Sequence, residues 1–436
     1  MLNIKTVTIL GANGNMGCLV SGIFASFGNA KVYMISRDIE KSEQAVHKAA
    51  QSVKADSVIS NLIPATYDDL KNCLFESDWV FESVTEDLQT KININKIIAE
   101  NVKKCTVIST GTSGLSVNKL SNSFSKEIKK QYLGTHFYNP PYSMILCEVI
   151  PTEHTDPELL ASVKSYLKDV LYRDVVEVKD TPAFLGNRIG FQFINEALQY
   201  AERYRDSGGI DYIDSILGQF TGRSMAPLTT TDFVGLDVHK AIVDNIYHNT
   251  LDYAHDSFVM PGFVKELIEE GRLGRKTRCG LYQLNVHADG SKKINVYDID
   301  SKEFRPKEKY NFPFATKMIA SLREGDYQKA FLSLVGNHSV EANICLIFLL
   351  KYVIYSIFAA KEAGEGIKAA DAVMASGYNW APPLSIIDAL GGVDAFKRII
   401  LERLDKDYLN RISLDFILDS VPASDYDYRR YFKAIQ

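Results

Sequence analysis

Three features of this sequence predict an α/β Rossmann-type N-terminal domain followed by an all-α C-terminal domain, with the helical domain duplicated. The first is a strand, a glycine turn, a helix and a second strand, all within residues 5–38. The second is apolar spacing of helical period that begins near Asp180 and dominates from there on. The third is an internal repeat: "APLTTTDFVGLDVHKAIV" at 226–243 returns as "APPLSIIDALGGVDAFKRII" at 381–400. With 436 residues and 46% hydrophobic composition, the chain is long enough to build more than one core.

The opening elements carry the first argument. "KTVTILG" (5–11) is a β-branched run that ends at glycine, "GANGNMG" (11–17) is the turn, and "CLVSGIFASFG" fits a helix ending at Gly28. "KVYMISRD" (31–38) is the second strand. A pyrophosphate needs close backbone approach, which glycine permits, and a helix N-terminus supplies unpaired N–H groups and a positive dipole end. The candidate cradle is therefore Gly11, Gly14, Asn15, Met16 and Gly17, with Ala12 where the usual fingerprint has its first glycine. After the second strand an acid binds the ribose hydroxyls of NAD, whereas an arginine holds the 2′-phosphate of NADP. "ISRD" offers both, Asp38 and Arg37; the reading favours NAD through Asp38 and keeps NADP through Arg37 as its alternative.

Two further buried strands are expected at "DWVFESV" (78–84) and "CTVIST" (105–110), with a helix in "TEDLQTKININKIIAENV" between them. Their ends place Glu86 and the "GTSG" loop with Ser113 at the carboxyl edge of the sheet, where such folds bind ligands. "GTHFYNPPYSMILCEVI" (134–150) then sets one histidine, His136, and one glutamate, Glu148, in an apolar and aromatic segment where ionisable groups are costly unless paired.

In the second half, "DTPAFLGNRIGFQFINEALQYAER" (180–203) is a turn followed by a helix, and the repeat places Asp232 and Asp388 in matching positions before an apolar-glycine turn. A hairpin turn is expected at "DGS" (289–291). The expected division is 1–179 for the nucleotide-binding domain, 180–283 for the first helical domain, 284–335 for a connector with a hairpin, 336–405 for the repeat and 406–436 for an aromatic-rich tail that packs on the body or on a neighbour.

Composition excludes some classes. The balance of 49 basic and 54 acidic residues, without long runs of one sign, argues against nucleic acid or an anionic membrane as the main partner. The six cysteines (Cys18, Cys73, Cys105, Cys147, Cys279, Cys345) form no CxxC pair, so free thiols and no metal site are expected. The N-terminus reads as a first strand and not as a signal peptide. "ICLIFLLKYVIYSIFAA" (344–360) is short for a bilayer span and carries Lys351 at its middle, so it reads as a buried helix. A soluble, cytoplasmic protein is expected.

With these elements in order, the chain resembles the L-3-hydroxyacyl-CoA dehydrogenase family over nearly its whole length, and its longer members in the second half. "GTHFYNP…EVI" is similar to the family's His-Phe-Phe-Asn-Pro segment followed by Glu-Val. "VKDTPAFLGNRIG" (178–190) is similar to its Lys-Asp-Thr-Pro-Gly-Phe…Asn-Arg segment, and "GRLGRKTRCGLYQ" (271–283) to the stretch closing its first helical domain. The resemblance implies that His136 is the catalytic base and that Glu148 holds its other ring nitrogen. It implies that Ser113 hydrogen-bonds the substrate oxygen and that Asn187 binds the same region from the helical domain. Glu86, Lys91 and Lys276 would line the cofactor, and Asn139 would orient the His136 turn. An acyl-CoA substrate follows, with a monomer or homodimer as the assembly. The chain also departs from the family. Gly111 replaces asparagine and Gly114 serine around Ser113, which predicts a looser loop; Ile145 stands where many members have lysine, and Gly186 replaces valine. The segment from Asp38 to Asp78 is shorter than the family's CoA-contacting helical hairpin, so acyl carrier and chain length stay open. A competing reading of another class, a non-catalytic dinucleotide-binding structural protein, predicts erosion of the chemical positions, yet His136, Glu148, Ser113 and Asn187 are all present.

Overall fold

The computed structural model describes residues 2–286, 290 and 292–435, which form two compact units, one running up to Phe184 with Ala363–Glu365 added, the other holding the rest from Leu185 on. The first unit is built on an eight-stranded sheet. Its strands are β1 (Thr6–Leu10), β2 (Lys31–Ser36), β3 (Leu62–Thr66), β4 (Trp79–Glu82), β5 (Val107–Thr110), β6 (Tyr132–Phe137), β7 (Leu146–Pro151) and β8 (Asp174–Glu177). They lie in the order β3-β2-β1-β4-β5-β6-β7-β8. The first six run parallel; β7 turns back on β6, and β8 follows β7. Strand order reverses at β1, so a crevice opens beyond the carboxyl ends of β1 and β4, where doubly wound sheets bind their ligands.

Residues buried on both faces explain the near-continuous apolar strands. Val7, Ile9, Val32, Met34, Trp79 and Phe81 belong to one core with Phe24 of the helix Asn15–Ser26. Trp79 stacks edge-on against Phe24 at 5.3 Å and gives its indole N–H to Ser109 Oγ at 2.8 Å, so its polar atom is satisfied inside the core. The short 38–78 segment contains one long helix, Ile39–Ser52, a 3₁₀ turn at Asp56–Asn61, β3 and the helix Leu70–Glu76. No helical hairpin is built there.

The second unit contains the two helical copies. Helices Gly186–Arg203, Ile210–Ile216, Pro227–Val234 and Leu236–Asn249 are followed later by Val340–Ala363, Lys368–Gly377, Pro383–Ala389 and Val393–Arg403. Each copy is fastened by the same device, a buried aspartate from the second helix that receives a backbone N–H opening the third. Asp214 accepts from Leu228 at 2.7 Å and Asp371 from Leu384 at 2.8 Å. The two copies are not separate domains. Their long helices pack on each other: Phe193 meets Phe348, Tyr352 and Trp380 edge-on, and Glu196 pairs with Lys351 at 2.5 Å. Each copy buries the apolar face that the other leaves open, and both lie in the compact unit that opens at Leu185. Val340–Ala363 is the one described helix long and apolar enough to cross a membrane, and 78% of its apolar window is buried inside the fold.

The connector carries β9 (Tyr282–Val286), β10 (Lys292–Tyr297) and β11 (Phe304–Pro306) as an antiparallel sheet. The hairpin is therefore present; Asp289 and Ser291 of its expected turn lie outside the described residues. The aromatic tail packs on this same unit, with Phe432 edge-on to Phe331 at 4.9 Å and Tyr408 donating to the Tyr253 hydroxyl at 3.3 Å.

Burial pushes the Asp371 carboxyl up to about 6. A carboxyl whose folded-state pKa exceeds its unfolded value binds its proton more tightly when folded, so its contribution to stability falls as pH rises through about 4 to 6. An amide in its place cannot ionise and keeps an acceptor for the Leu384 N–H. Denaturant titrations should show Asp371→Asn gaining on the wild type across that window, by up to about 3 kcal/mol; a constant difference between the two proteins would contradict this.

Candidate active site

The glycine turn at the head of the crevice has the form a pyrophosphate cradle needs. Gly11 follows β1 with φ +77°, and a Cβ there would lie 2.4 Å from Ser83 O. A Cβ on Gly17 would lie 2.4 Å from Gly11 O. The backbone thus folds onto itself in a way only glycine allows. Gly14 caps the helix Asn15–Ser26 without a side chain, and no acid stands in the first turn. The first-turn N–H groups, including those of Asn15 and Met16, are consequently left for an anionic ligand at the positive end of the helix. These residues fit a dinucleotide.

At the end of β2 the two candidates part. Asp38 is the N-cap of the helix Ile39–Ser52, its Oδ1 accepting from Glu40 and Lys41. That leaves Oδ2 for a ribose. Arg37 is exposed and makes no hydrogen bond or ion pair among the described residues.

Glu86 and Lys91 are both bonded within the protein. Lys91 is buried, with its ammonium 2.8 and 3.0 Å from the two oxygens of Glu82, itself buried at the end of β4. The pair neutralises a carboxylate that the strand would otherwise bury alone. Glu86 Oε1 accepts from the Thr112 hydroxyl, from Ser113 N at 2.8 Å and from Gly114 N at 3.2 Å. One carboxylate therefore pins the loop that carries Ser113. Gly111 is required because a Cβ there would lie 2.5 Å from the Phe81 ring, which is locked edge-on against Phe137. The Ser113 hydroxyl has no hydrogen-bond partner among the described residues and remains available to a ligand.

His136 and Glu148 meet because of sheet register. β6 and β7 are antiparallel, and the register sets His136 directly opposite Glu148, so both side chains leave the same face of the sheet. Nδ1 of His136 stands 2.8 Å from Glu148 Oε2, which also accepts from the Tyr138 hydroxyl at 3.0 Å. Bonding to a carboxylate requires the proton on Nδ1, and Nε2, with no hydrogen bond to the described residues, is the basic nitrogen. Phe184 walls the ring at 5.4 Å. Ala183 and Phe184 both hold left-handed backbone, φ +60° and +58°, a sparsely populated state for non-glycine residues that places Phe184 against the imidazole. Ser113 follows β5 and His136 lies on the neighbouring parallel β6, so both occupy the carboxyl edge of the sheet. Asn139 does not orient the histidine: it is exposed and makes no side-chain hydrogen bond among the described residues. Ile145 is exposed as well.

In the second unit, Asn187 stands in the first turn of Gly186–Arg203 and accepts at Oδ1 from the Tyr378 hydroxyl at 2.9 Å. Lys276 is tied to both oxygens of Asp237, at 2.5 and 2.7 Å. Tyr138, Thr112, Glu82 and Tyr378 are the site residues that sequence reasoning missed. Tyr138 had a signal, since it replaces the second phenylalanine of the His-Phe-Phe-Asn-Pro segment.

A doubly wound sheet with a glycine cradle at its switch point and an imidazole–carboxylate pair on the same edge defines the class: a Rossmann-type dinucleotide-binding fold. The description "3-hydroxyacyl-CoA dehydrogenase, NAD binding domain" matches residues 6–181, and "3-hydroxyacyl-CoA dehydrogenase, C-terminal domain" matches 184–284. The chain belongs to the 3-hydroxyacyl-CoA dehydrogenase family. It is 29% identical over 334 residues to a probable 3-hydroxyacyl-CoA dehydrogenase of Bacillus subtilis, which is 76% of this chain and 41% of that protein. The chain thus spans less than half the length of that relative. It is 30% identical over 297 residues to a probable 3-hydroxyacyl-CoA dehydrogenase of Deinococcus radiodurans, covering 65% of this chain and 83% of that one. A solved Escherichia coli structure described as 3-hydroxybutyryl-CoA dehydrogenase superposes with a TM-score of 0.68 over 95% of this chain and 98% of that chain, at 20% identity, which shows a shared fold through both helical copies.

Gly111→Ala should destabilise the protein by about 1–3 kcal/mol, because the added methyl overpacks a ring held on both sides. Chemical denaturation checks this, and an unchanged midpoint would mean that Phe81 can move away freely.

Proposed function

We propose that the chain oxidises an L-3-hydroxyacyl-CoA to the 3-oxoacyl-CoA, reversibly and with NAD, in fatty-acid oxidation or related acyl-CoA metabolism. The observation that carries this reading is the 2.8 Å His136–Glu148 pair on the carboxyl edge of the sheet that also bears the glycine cradle. The names of the Bacillus and Deinococcus relatives and the two matched domains support it. NAD held by the cradle supplies the hydride acceptor.

The chain's own part is acid–base and electrostatic. Nε2 of His136 takes the proton of the 3-hydroxyl as C3 is oxidised, and returns it to the alkoxide in the reverse direction. Glu148 holds Nδ1–H and stabilises the imidazolium that forms, as the acid of a triad does. The Ser113 hydroxyl donates to the reacting oxygen, from a loop that Glu86 holds still. Asn187 donates its amide to the substrate. Phe184 and Tyr138 shield the imidazole from water, strengthening these interactions.

NADH consumption with acetoacetyl-CoA tests the proposal. The wild type should turn over, and His136→Gln should lose about 10²–10⁴-fold in kcat with its fold intact. A His136→Gln variant of wild-type rate would sink it.

One observation favours a second reading, reduction with NADPH: Arg37 is exposed and unpaired among the described residues while the Asp38 carboxylate is partly committed to a helix cap. On the NAD reading, Arg37→Ala leaves the NADPH/NADH preference of the same assay unchanged. On the NADP reading it shifts the preference at least tenfold toward NADH, the loss of about 1.4 kcal/mol or more of phosphate binding.

A further inference from the structure

We infer that Tyr378, a residue of the second helical copy, is a positioning residue for Asn187, so that the duplicated copy takes part in substrate binding. The inference rests on the proposed role of Asn187 as a substrate-binding amide.

Tyr378 follows the helix Lys368–Gly377 and reaches the first turn of Gly186–Arg203, where its hydroxyl donates to Asn187 Oδ1 at 2.9 Å. The approach is built in. One helical turn beyond Asn187 stands Gly190, where a Cβ would lie 2.4 Å from Tyr378 Cζ and 2.6 Å from its hydroxyl oxygen. Any other residue at 190 would fill the space the phenol occupies. The ring is backed by Trp380, with centroids 5.2 Å apart, and Trp380 is itself buried against Phe193 of the first copy. The phenol is therefore clamped between the notch at Gly190 and the indole, which brings its hydroxyl to Asn187 Oδ1.

The chemical consequence follows from the amide. A carboxamide offers an acceptor at one end and two donors at the other, and a freely rotating one presents either. With Oδ1 accepting from the phenol, Asn187 is tethered at one end of its amide and Nδ2 turns away from the ring, where it bonds to none of the described residues. That end donates, which suits an oxygen that gains negative charge at C3 or the thioester carbonyl. Without the phenol, the amide has no bond to the described residues and turns freely, so it also presents Oδ1 to that oxygen, where it repels. Asn187 touches substrate; Tyr378 acts through it.

The test is a double-mutant cycle in the full chain, with Tyr378→Phe, Asn187→Ala and the double variant assayed for acetoacetyl-CoA reduction by NADH. Tyr378→Phe keeps the ring and should lower kcat/KM for acetoacetyl-CoA about tenfold, the effect of one lost hydrogen bond of roughly 1.4 kcal/mol. The Kd for NADH and the melting temperature should stay at wild-type values, which a merely structural role would not predict. The double variant should be no worse than Asn187→Ala alone. Tyr378→Phe with wild-type kcat/KM, losses that multiply in the double variant, or a loss that follows the melting temperature would each overturn the inference while leaving the proposed activity standing. A wild-type chain that does not reduce acetoacetyl-CoA would overturn that activity, and this inference with it.

Discussion

A carboxylate taken wholly out of water governs the site. Glu148 is fully buried, and an unpaired charge in that place would cost several kcal/mol. Its Oε2 instead receives the imidazole of His136 and the phenol of Tyr138. The same bonds that make the buried charge tolerable fix which nitrogen of the histidine is bare and in which direction it points. Stability and chemistry are one requirement here. The requirement reaches back into the sheet, because only the antiparallel return of β7 on β6 can set residues twelve apart face to face.

A second buried carboxylate follows the same logic to a different end. Glu82 closes β4 inside the protein and would be untenable without Lys91, nine residues on along the next helix. Glu86, by contrast, stays half exposed and gives Oε1 to the loop of Ser113, while its Oε2 stands 3.5 Å from the Lys91 ammonium. Three acids within reach of the carboxyl edge thus divide the work: one orients a base, one closes a core, one holds a loop.

Much of this was legible in the sequence because it depends on local pattern. Alternating β-branched runs ending at Gly11 and Thr110 marked strands β1 and β5, and the glycine spacing marked the cradle. His136 and Glu148 stood out as ionisable residues in an apolar segment. What was not legible depends on long-range pairing. Nothing local says that Glu86 will fasten residues 112–114, or that Gly111 exists for the Phe81 ring. The burial of Lys91 had a cue that went unread, a glutamate inside a strand otherwise apolar. In the helical half the repeat drew attention to Asp232 and Asp388, whereas the structural repeat is as plainly expressed by Asp214 and Asp371, whose shared role as acceptors for the next helix appears only in three dimensions. The two copies looked like consecutive domains along the chain and are halves of one core, since each supplies the apolar face that the other needs.

The central claim is that Glu148 sets the tautomer of His136. Imidazole ¹⁵N chemical shifts, assigned by comparison with His136→Gln, read this directly in the neutral ring. The account predicts a protonated Nδ1 and an unprotonated Nε2 in the wild type, with that preference lost in Glu148→Ala. A wild-type ring carrying its proton on Nε2, or a tautomer unchanged when Glu148 is removed, would contradict it.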